Sequence, residues 1–258
     1  KFEAKGIPAK EYADELYLCA YIEIADGVYA FSEVTPYSVQ TYCCNKLNTS
    51  NDTNLKNVCA QILHYGAAAQ KHFGYNVDNL ANAVPELDNY PAGTYDAALL
   101  DALKDAPATA FEQSEGTVAK FTMGGLVLED AVIMKLTFSA PDGFRAQEAN
   151  GKAEMLVWRG VEGELTEDNA TEVKELTAAG SYGGKDEYAA ETDGIPAKEY
   201  GDTVYACAKY TDAEGNVTYS QVGCYSVETY AQNQIKKYEN TANKATLVEL
   251  CKRMVVYG

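Results

Sequence analysis

Gly6-Ile7-Pro8-Ala9-Lys10-Glu11-Tyr12 recurs without change as Gly194-Ile195-Pro196-Ala197-Lys198-Glu199-Tyr200, an offset of 188 positions. The same offset runs without a gap through Asp14/Asp202, Tyr17/Tyr205, Cys19/Cys207, Gly27/Gly215, Val34/Val222 and Tyr37-Ser38-Val39/Tyr225-Ser226-Val227 to Thr41-Tyr42/Thr229-Tyr230, with 20 identities in 37 positions. A match of that length identifies an internal repeat, one supersecondary unit used twice. Four residues then enter the second copy, after which Leu55, Val58, Cys59, Ile62, Tyr65 and Gly66 match Leu247, Leu250, Cys251, Met254, Tyr257 and Gly258 at an offset of 192.

Each copy reads as a β-hairpin followed by two helices. Residues 16–22 and 28–34 are rich in Val, Ile, Tyr and Phe, and Asp26-Gly27 between them supplies the positive φ that a tight hairpin turn needs. In the second copy, 204–210 and 217–222 flank Asp212-Ala213-Glu214-Gly215-Asn216. That acidic loop resembles half of a calcium loop but lacks the further ligands and the closing Glu, so it reads as a plain turn. Ser38 and Ser226 are natural N-caps of short amphipathic helices. The second helix carries Leu55, Val58, Cys59, Ile62, Gly66, Ala69 and Phe73 as one stripe. Gly66 and Ala67-Ala68-Ala69 allow a neighbouring backbone to approach closely, a packing feature without chemistry.

Between the copies the composition changes. Residues 76–93 read as an irregular connector, with a short helix predicted over 95–104. Strand patterns follow at 117–121, 126–128, 131–138, 154–159 and 171–177, separated by turns at Gly124-Gly125, Pro141-Asp142-Gly143, Asn150-Gly151 and Gly183-Gly184. Short strands at that spacing predict a β-sandwich, completed by the second hairpin. The expected fold class is α+β, antiparallel sandwich and hairpin elements combined with repeated amphipathic helix pairs. The expected domains are 1–75, the C-terminal half of a repeat module; 76–106, a connector; and 107–258, a full module in which 194–258 completes the sandwich of 107–193. Since the chain begins at Lys1, it is expected to be a fragment of a longer protein.

With 258 residues, 47% of them apolar, the chain can bury a sizeable core. Thirty-eight Asp and Glu against 21 Lys and Arg leave a formal charge of −17, which disfavours nucleic acid and anionic lipid as partners. No apolar run is long enough for a membrane span. The seven cysteines are odd in number and form no CxxC pair, so they read mainly as small core residues. His64 and His72 are about 12 Å apart along one helix, too far to share a metal. No G-x-S-x-G, HExxH or phosphate-binding Gly-rich loop occurs. The expectation is a protein that is not an enzyme and holds no cofactor or metal.

Tyrosine is the unusual component, at 20 residues against seven Phe and one Trp. It offers large, rigid, amphipathic contact area and is enriched in recognition surfaces. Tyrosines shared by both copies (Tyr12, Tyr17, Tyr37, Tyr42, Tyr65) read as structural. Aromatics that differ between copies or alternate onto an open sheet face are the candidates for partner binding: Tyr29, Phe31, Trp158, Tyr210 and Tyr219.

The residues Tyr37-Ser38-Val39 to Tyr42, Leu63-His64-Tyr65-Gly66-Ala67-Ala68-Ala69-Gln70, Phe73-Gly74-Tyr75 and Asp78-Asn79-Leu80-Ala81-Asn82 resemble a signature of repeat modules in large cell-surface proteins of anaerobic gut Clostridia. The second copy ends before the Ala-Ala-Gln portion, and His64 stands where that family usually has Asn. The resemblance implies an extracellular, bacterial cell-surface location. It also implies a non-enzymatic binding module, with the host immunoglobulin heavy-chain variable domain gripped in the manner of a B-cell superantigen as the leading partner. A glycan or fibre adhesin and a structural spacer are the alternatives it leaves open.

Overall fold

A computed structural model describes residues 6–115 and 118–258. Its elements in chain order are β1 (Leu16–Leu18), β2 (Tyr21–Ala25), β3 (Val28–Phe31), β4 (Thr35–Tyr37), α1 (Val39–Thr49), α2 (Thr53–Phe73), β5 (Lys120–Val127), β6 (Ile133–Ser139), α3 (Phe144–Gln147), β7 (Lys152–Trp158), β8 (Glu172–Glu175), β9 (Thr177–Tyr182), β10 (Lys185–Glu191), β11 (Val204–Thr211), β12 (Val217–Tyr219), β13 (Gly223–Tyr225), α4 (Val227–Tyr238) and α5 (Ala245–Tyr257). The chain is α+β, and among the described residues every ladder between two strands is antiparallel. The described residues divide into two compact units: residues 6–95 together with 238–257, and residues 96–237 with Gly258. The division differs from the sequence boundaries in one respect above all. The last helix of the second copy, α5, groups with the first copy, because its apolar side packs along α2.

In the first unit, Ser38 caps α1 by accepting from Thr41 N, and Asp52 caps α2 by accepting from Asn54 N and Leu55 N. Gly74 ends α2 in the left-handed conformation. Cys43, Leu47, Cys59, Ala60, Leu63, Ala81 and Leu87 form the core. Buried residues occupy most of the last half of α2, whereas Val58, expected on the buried stripe, is exposed. The Ala-Ala-Ala-Gln run has a definite role. Gln70 is fully buried, donates to the carbonyls of Asn76 and Asn79, and accepts from Ala81 N at 2.7 Å, so the irregular connector is tied onto the helix. His64 is a second tie: Asn82 Nδ2 donates to its Nδ1, which leaves its Nε2–H to donate to Tyr90 O at 3.0 Å.

In the second unit, a four-stranded sheet, β5-β6-β10-β9, faces a five-stranded one, β12-β11-β7-β8 with β13 also on β11. Phe138 and Tyr188 of the first sheet and Met155, Val157 and Tyr210 of the second are buried, with the Tyr188 and Tyr210 rings edge to face at 5.9 Å. Three readings of this region need correction. Gly124-Gly125 is not a turn but lies inside β5, where the Tyr225 ring covers Gly124 so closely that a Cβ would stand 2.7 Å from it. Strands β9 and β10 lie on either side of the Gly183-Gly184 turn and were not read from the sequence. The helix predicted over 95–104 reduces to one 3-10 turn, Ala97–Leu99. Thr117, in the first predicted strand, lies outside the described residues.

The two copies share local structure. Leu16↔Tyr37, Tyr17↔Pro36 and Leu18↔Thr35 repeat as Val204↔Tyr225, Tyr205↔Cys224 and Ala206↔Gly223. Tyr21↔Phe31 and Ile22↔Ala30 repeat as Lys209↔Tyr219 and Tyr210↔Thr218. At the crossover between the two ladders, Ser32 Oγ accepts from Ala20 N and Cys19 Sγ donates to Ser32 O; Ser220 Oγ, Ala208 N, Cys207 Sγ and Ser220 O make the same two bonds. Burial does not follow this equivalence. Cys207 is buried, as expected, but Cys19 is exposed, contrary to the expectation that both would be covered.

Candidate binding surface

Strand alternation divides the first hairpin into two faces. Tyr17, Cys19, Tyr21 and Glu23, with Tyr29 and Phe31 opposite them, form one; Leu18, Ala20, Ile22 and Ala30 form the other. Apart from the half-buried Leu16, every residue of β1 to β4 is exposed. On the first face Tyr21 meets Tyr29 edge to face at 5.7 Å and Phe31 at 6.0 Å. Phe31 is 70% exposed. A shallow cavity of about 240 Å³ beside the hairpin is lined by residues of both faces, Tyr21 and Phe31 as well as Ala20, Ile22 and Ala30, with Ser32. So many exposed apolar side chains side by side are uncommon on the surface of a folded protein.

Of the five residues predicted to bind a partner, Tyr29 and Phe31 lie on this surface. Trp158 does not: it is fully buried, its Nε1–H donating to Thr166 O and Asn169 Oδ1 at 2.9 Å each and its ring stacked on Phe111. Tyr210 is also a core residue, with its ring 5.0 Å from Phe144 and its hydroxyl donating to Ser139 O. Tyr219 is half-buried, stacks on Phe111 at 4.5 Å and donates to the Glu167 carboxylate, which Lys209 also holds. Burial first and then the Glu167 bond push the Tyr219 hydroxyl well above the usual phenol range. Alternation alone could not separate these cases, because the two sheet faces of the second copy are both covered.

Tyr21 and Ile22 are the residues the sequence criterion missed. Tyr21 stands where the second copy has Lys209, the same kind of difference that singles out Tyr29 and Phe31. Tyr17, Tyr37 and Tyr42, read as structural because both copies hold them, are exposed, whereas Tyr65 is buried as expected.

Two further polar clusters are held largely by contacts among their own members. Glu172, the buried first residue of β8, pairs with Arg159 at 2.7 Å and accepts from Asp193 N, while Lys174 pairs with Asp193 at 2.6 Å. The acidic loop closes on itself, Asp212 accepting from Glu214 N and from the backbone and side-chain nitrogens of Asn216. Among the described residues, no group of three His, Cys, Asp or Glu side chains is placed to hold a metal ion. No helix among them is long and apolar enough to cross a membrane. Compared with protein-family models and with curated proteins, the chain matches none.

Proposed function

We propose that the chain is a non-enzymatic binding module displayed on a bacterial cell surface, and that its partner is the heavy-chain variable domain of host immunoglobulin. The observation that carries this reading is the cluster of Tyr21, Tyr29 and Phe31, three rings in contact on an open face of the first hairpin. Rigid aromatic rings bury large area at small entropic cost, and they suit a flat, strand-built partner surface such as an antibody framework. The identity of the partner comes from the resemblance of the repeat to surface modules; the place of contact comes from the hairpin. With the contacts aromatic rather than ionic, binding survives chelation and changes little with moderate salt.

The test is binding of the whole chain to a panel of antibody fragments and soluble polysaccharides, followed by Tyr29→Ala and Phe31→Ala. Binding to fragments that share heavy-chain framework residues is expected, with at least one substitution costing about 2 kcal/mol and leaving thermal stability unchanged. Binding to a polysaccharide instead would favour the glycan adhesin. Failure of every ligand would favour a structural spacer and end the immunoglobulin reading.

A further inference from the structure

The second copy shows what surrounds a hairpin of this type when it is covered. Strand β7 lies antiparallel along β11, pairing Tyr205↔Trp158 through Thr211↔Lys152. Ala206, Ala208 and Tyr210, which share one face of β11, are at most 1% exposed, and the Tyr210 ring packs against those of Phe144 and Tyr188. The arm at 113–114 reaches the far edge, Ser114 N donating to Tyr219 O and Gln113 Oε1 accepting from Val222 N.

In the first copy the same positions are open. The edge of β1 and β2 that corresponds to the β7-bonded edge of β11 has no strand beside it among the described residues. Leu18, Ala20 and Ile22 stand where Ala206, Ala208 and Tyr210 stand, and Ile22 is 65% exposed. Phe31 and Val34 hold the positions of Tyr219 and Val222. The register and the crossover hydrogen bonds are already those of the covered hairpin, so the receiving surface is formed before anything binds.

We infer that the first hairpin is a strand acceptor. Its free edge along Tyr17–Glu23 and its Leu18-Ala20-Ile22 face take up a β-sheet segment with the chemistry of residues 107–193, namely an edge strand like β7 and a facing sheet that supplies aromatic rings. The occupant is a module half of this same repeat type. Main-chain pairing gives the affinity and the apolar face gives the register. This goes beyond the immunoglobulin reading and does not rest on it. The counterparts of Tyr21, Tyr29 and Phe31 in the covered copy, Lys209, Val217 and Tyr219, keep part of their surface in solvent, so the aromatic tip stays accessible.

The experiment joins a second copy of residues 107–193 ahead of Gly6 in the full chain and measures alkylation of Cys19 by iodoacetamide under native conditions, located by mass spectrometry. Cys19 is exposed and its counterpart Cys207 is buried. In the extended chain its labelling rate should fall at least 100-fold relative to the parent, and Ile22→Glu should restore it. Labelling at the parent rate would overturn the inference, as would protection that Ile22→Glu leaves intact. Antibody-fragment binding, measured on the same samples, decides the other reading separately: protected Cys19 with no antibody binding sinks only that one.

Discussion

Tyr65 and Tyr257 lie ring on ring, their centroids 5.4 Å apart and their planes within 22°. They are the same position of the two repeat copies, so the second helices of the copies meet through equivalent residues. The next residue in sequence is in each copy a glycine set against a tyrosine: a Cβ on Gly66, inside α2, would stand 2.9 Å from the Tyr12 ring, and one on Gly258, just past the end of α5, 2.5 Å from the Tyr200 ring. Tyr12 and Tyr200 are themselves equivalent. The repeat is thus held in two places, within each copy by glycine against tyrosine and between helices by tyrosine against tyrosine.

Truncating the stacked pair should separate their contributions. Tyr65→Ala removes a buried ring and should cost about 3 kcal/mol, and Tyr257→Ala, half-buried, about 2 kcal/mol. The double variant should be less destabilised than the sum, with a coupling of about 1 kcal/mol, since the stacking term is lost only once. Denaturant unfolding of the four proteins measures this, and strict additivity would show that the rings do not stack in solution.

Thiol chemistry should report the unequal burial of the copies. Burial pushes the Cys207 and Cys251 thiols up to about 12, so neither offers thiolate at neutral pH. Cys19 is exposed. In the unextended chain it should be alkylated in the native state, while Cys207 and Cys251 should react only after denaturation. Equal rates for Cys19 and Cys207 would contradict the contrast between the hairpins.

The sole tryptophan gives an optical test of the core. Trp158 should emit at short wavelength and resist quenching by iodide, shifting to the red only on unfolding, because its ring lies under Phe111 and its N–H is doubly engaged. Trp158→Phe leaves Thr166 O and Asn169 Oδ1 without that donor and should cost about 2 kcal/mol in urea melts. Iodide quenching like that of free indole would place the ring outside the core.

The strands and helices legible in the sequence were those with a clean period. The 3.6-residue pattern of α2, the serine caps and both hairpins emerge from local patterning because their own side chains decide them. Strands β9 and β10 were not legible: Thr177–Tyr182 is mostly Ala, Gly and Ser, and Lys185–Glu191 is half charged. Gly124 looked like a turn because its glycine serves a distant ring, Tyr225, about 100 positions away in sequence. The candidate site was legible only in part for a related reason. Alternation assigns a residue to a face, but whether that face is covered depends on strands far along the chain. Tyr210 and Ile22 are equivalent in register and opposite in exposure.

Close approach to rings makes two glycines sensitive. A Cβ at residue 223 would stand 2.3 Å from the Phe121 ring, and one at residue 124 would meet Tyr225 at 2.7 Å. Neither glycine has a positive φ, so the cost of alanine there is steric alone. Gly223→Ala and Gly124→Ala should each destabilise the chain by about 1–3 kcal/mol. Gly223→Ala in a Phe121→Leu background should recover part of this; no recovery would mean that the backbone, not the ring, resists the methyl.

Acid should loosen the second hairpin through Glu167. Its carboxyl is held below the ordinary value of 4.5, first by the bond from Lys209 and then by the bond from Tyr219. A carboxyl whose folded pKa is depressed contributes stability that is fully present above its unfolded pKa and is lost as pH falls through the folded one. The Glu167 side chain is 41% exposed, so solvent screens the pair and the contribution is modest. Comparing the parent with Lys209→Met by urea melts isolates it. The stability difference should be constant above about pH 5.5, where the unfolded carboxyl is ionised, and should shrink steadily as the pH falls below 4.5. Tyr219→Phe should show the same convergence with smaller amplitude. A difference that holds unchanged down to pH 2.5 would mean that Lys209 stabilises the hairpin through packing of its stem over the Tyr219 ring, and that the ion pair contributes nothing.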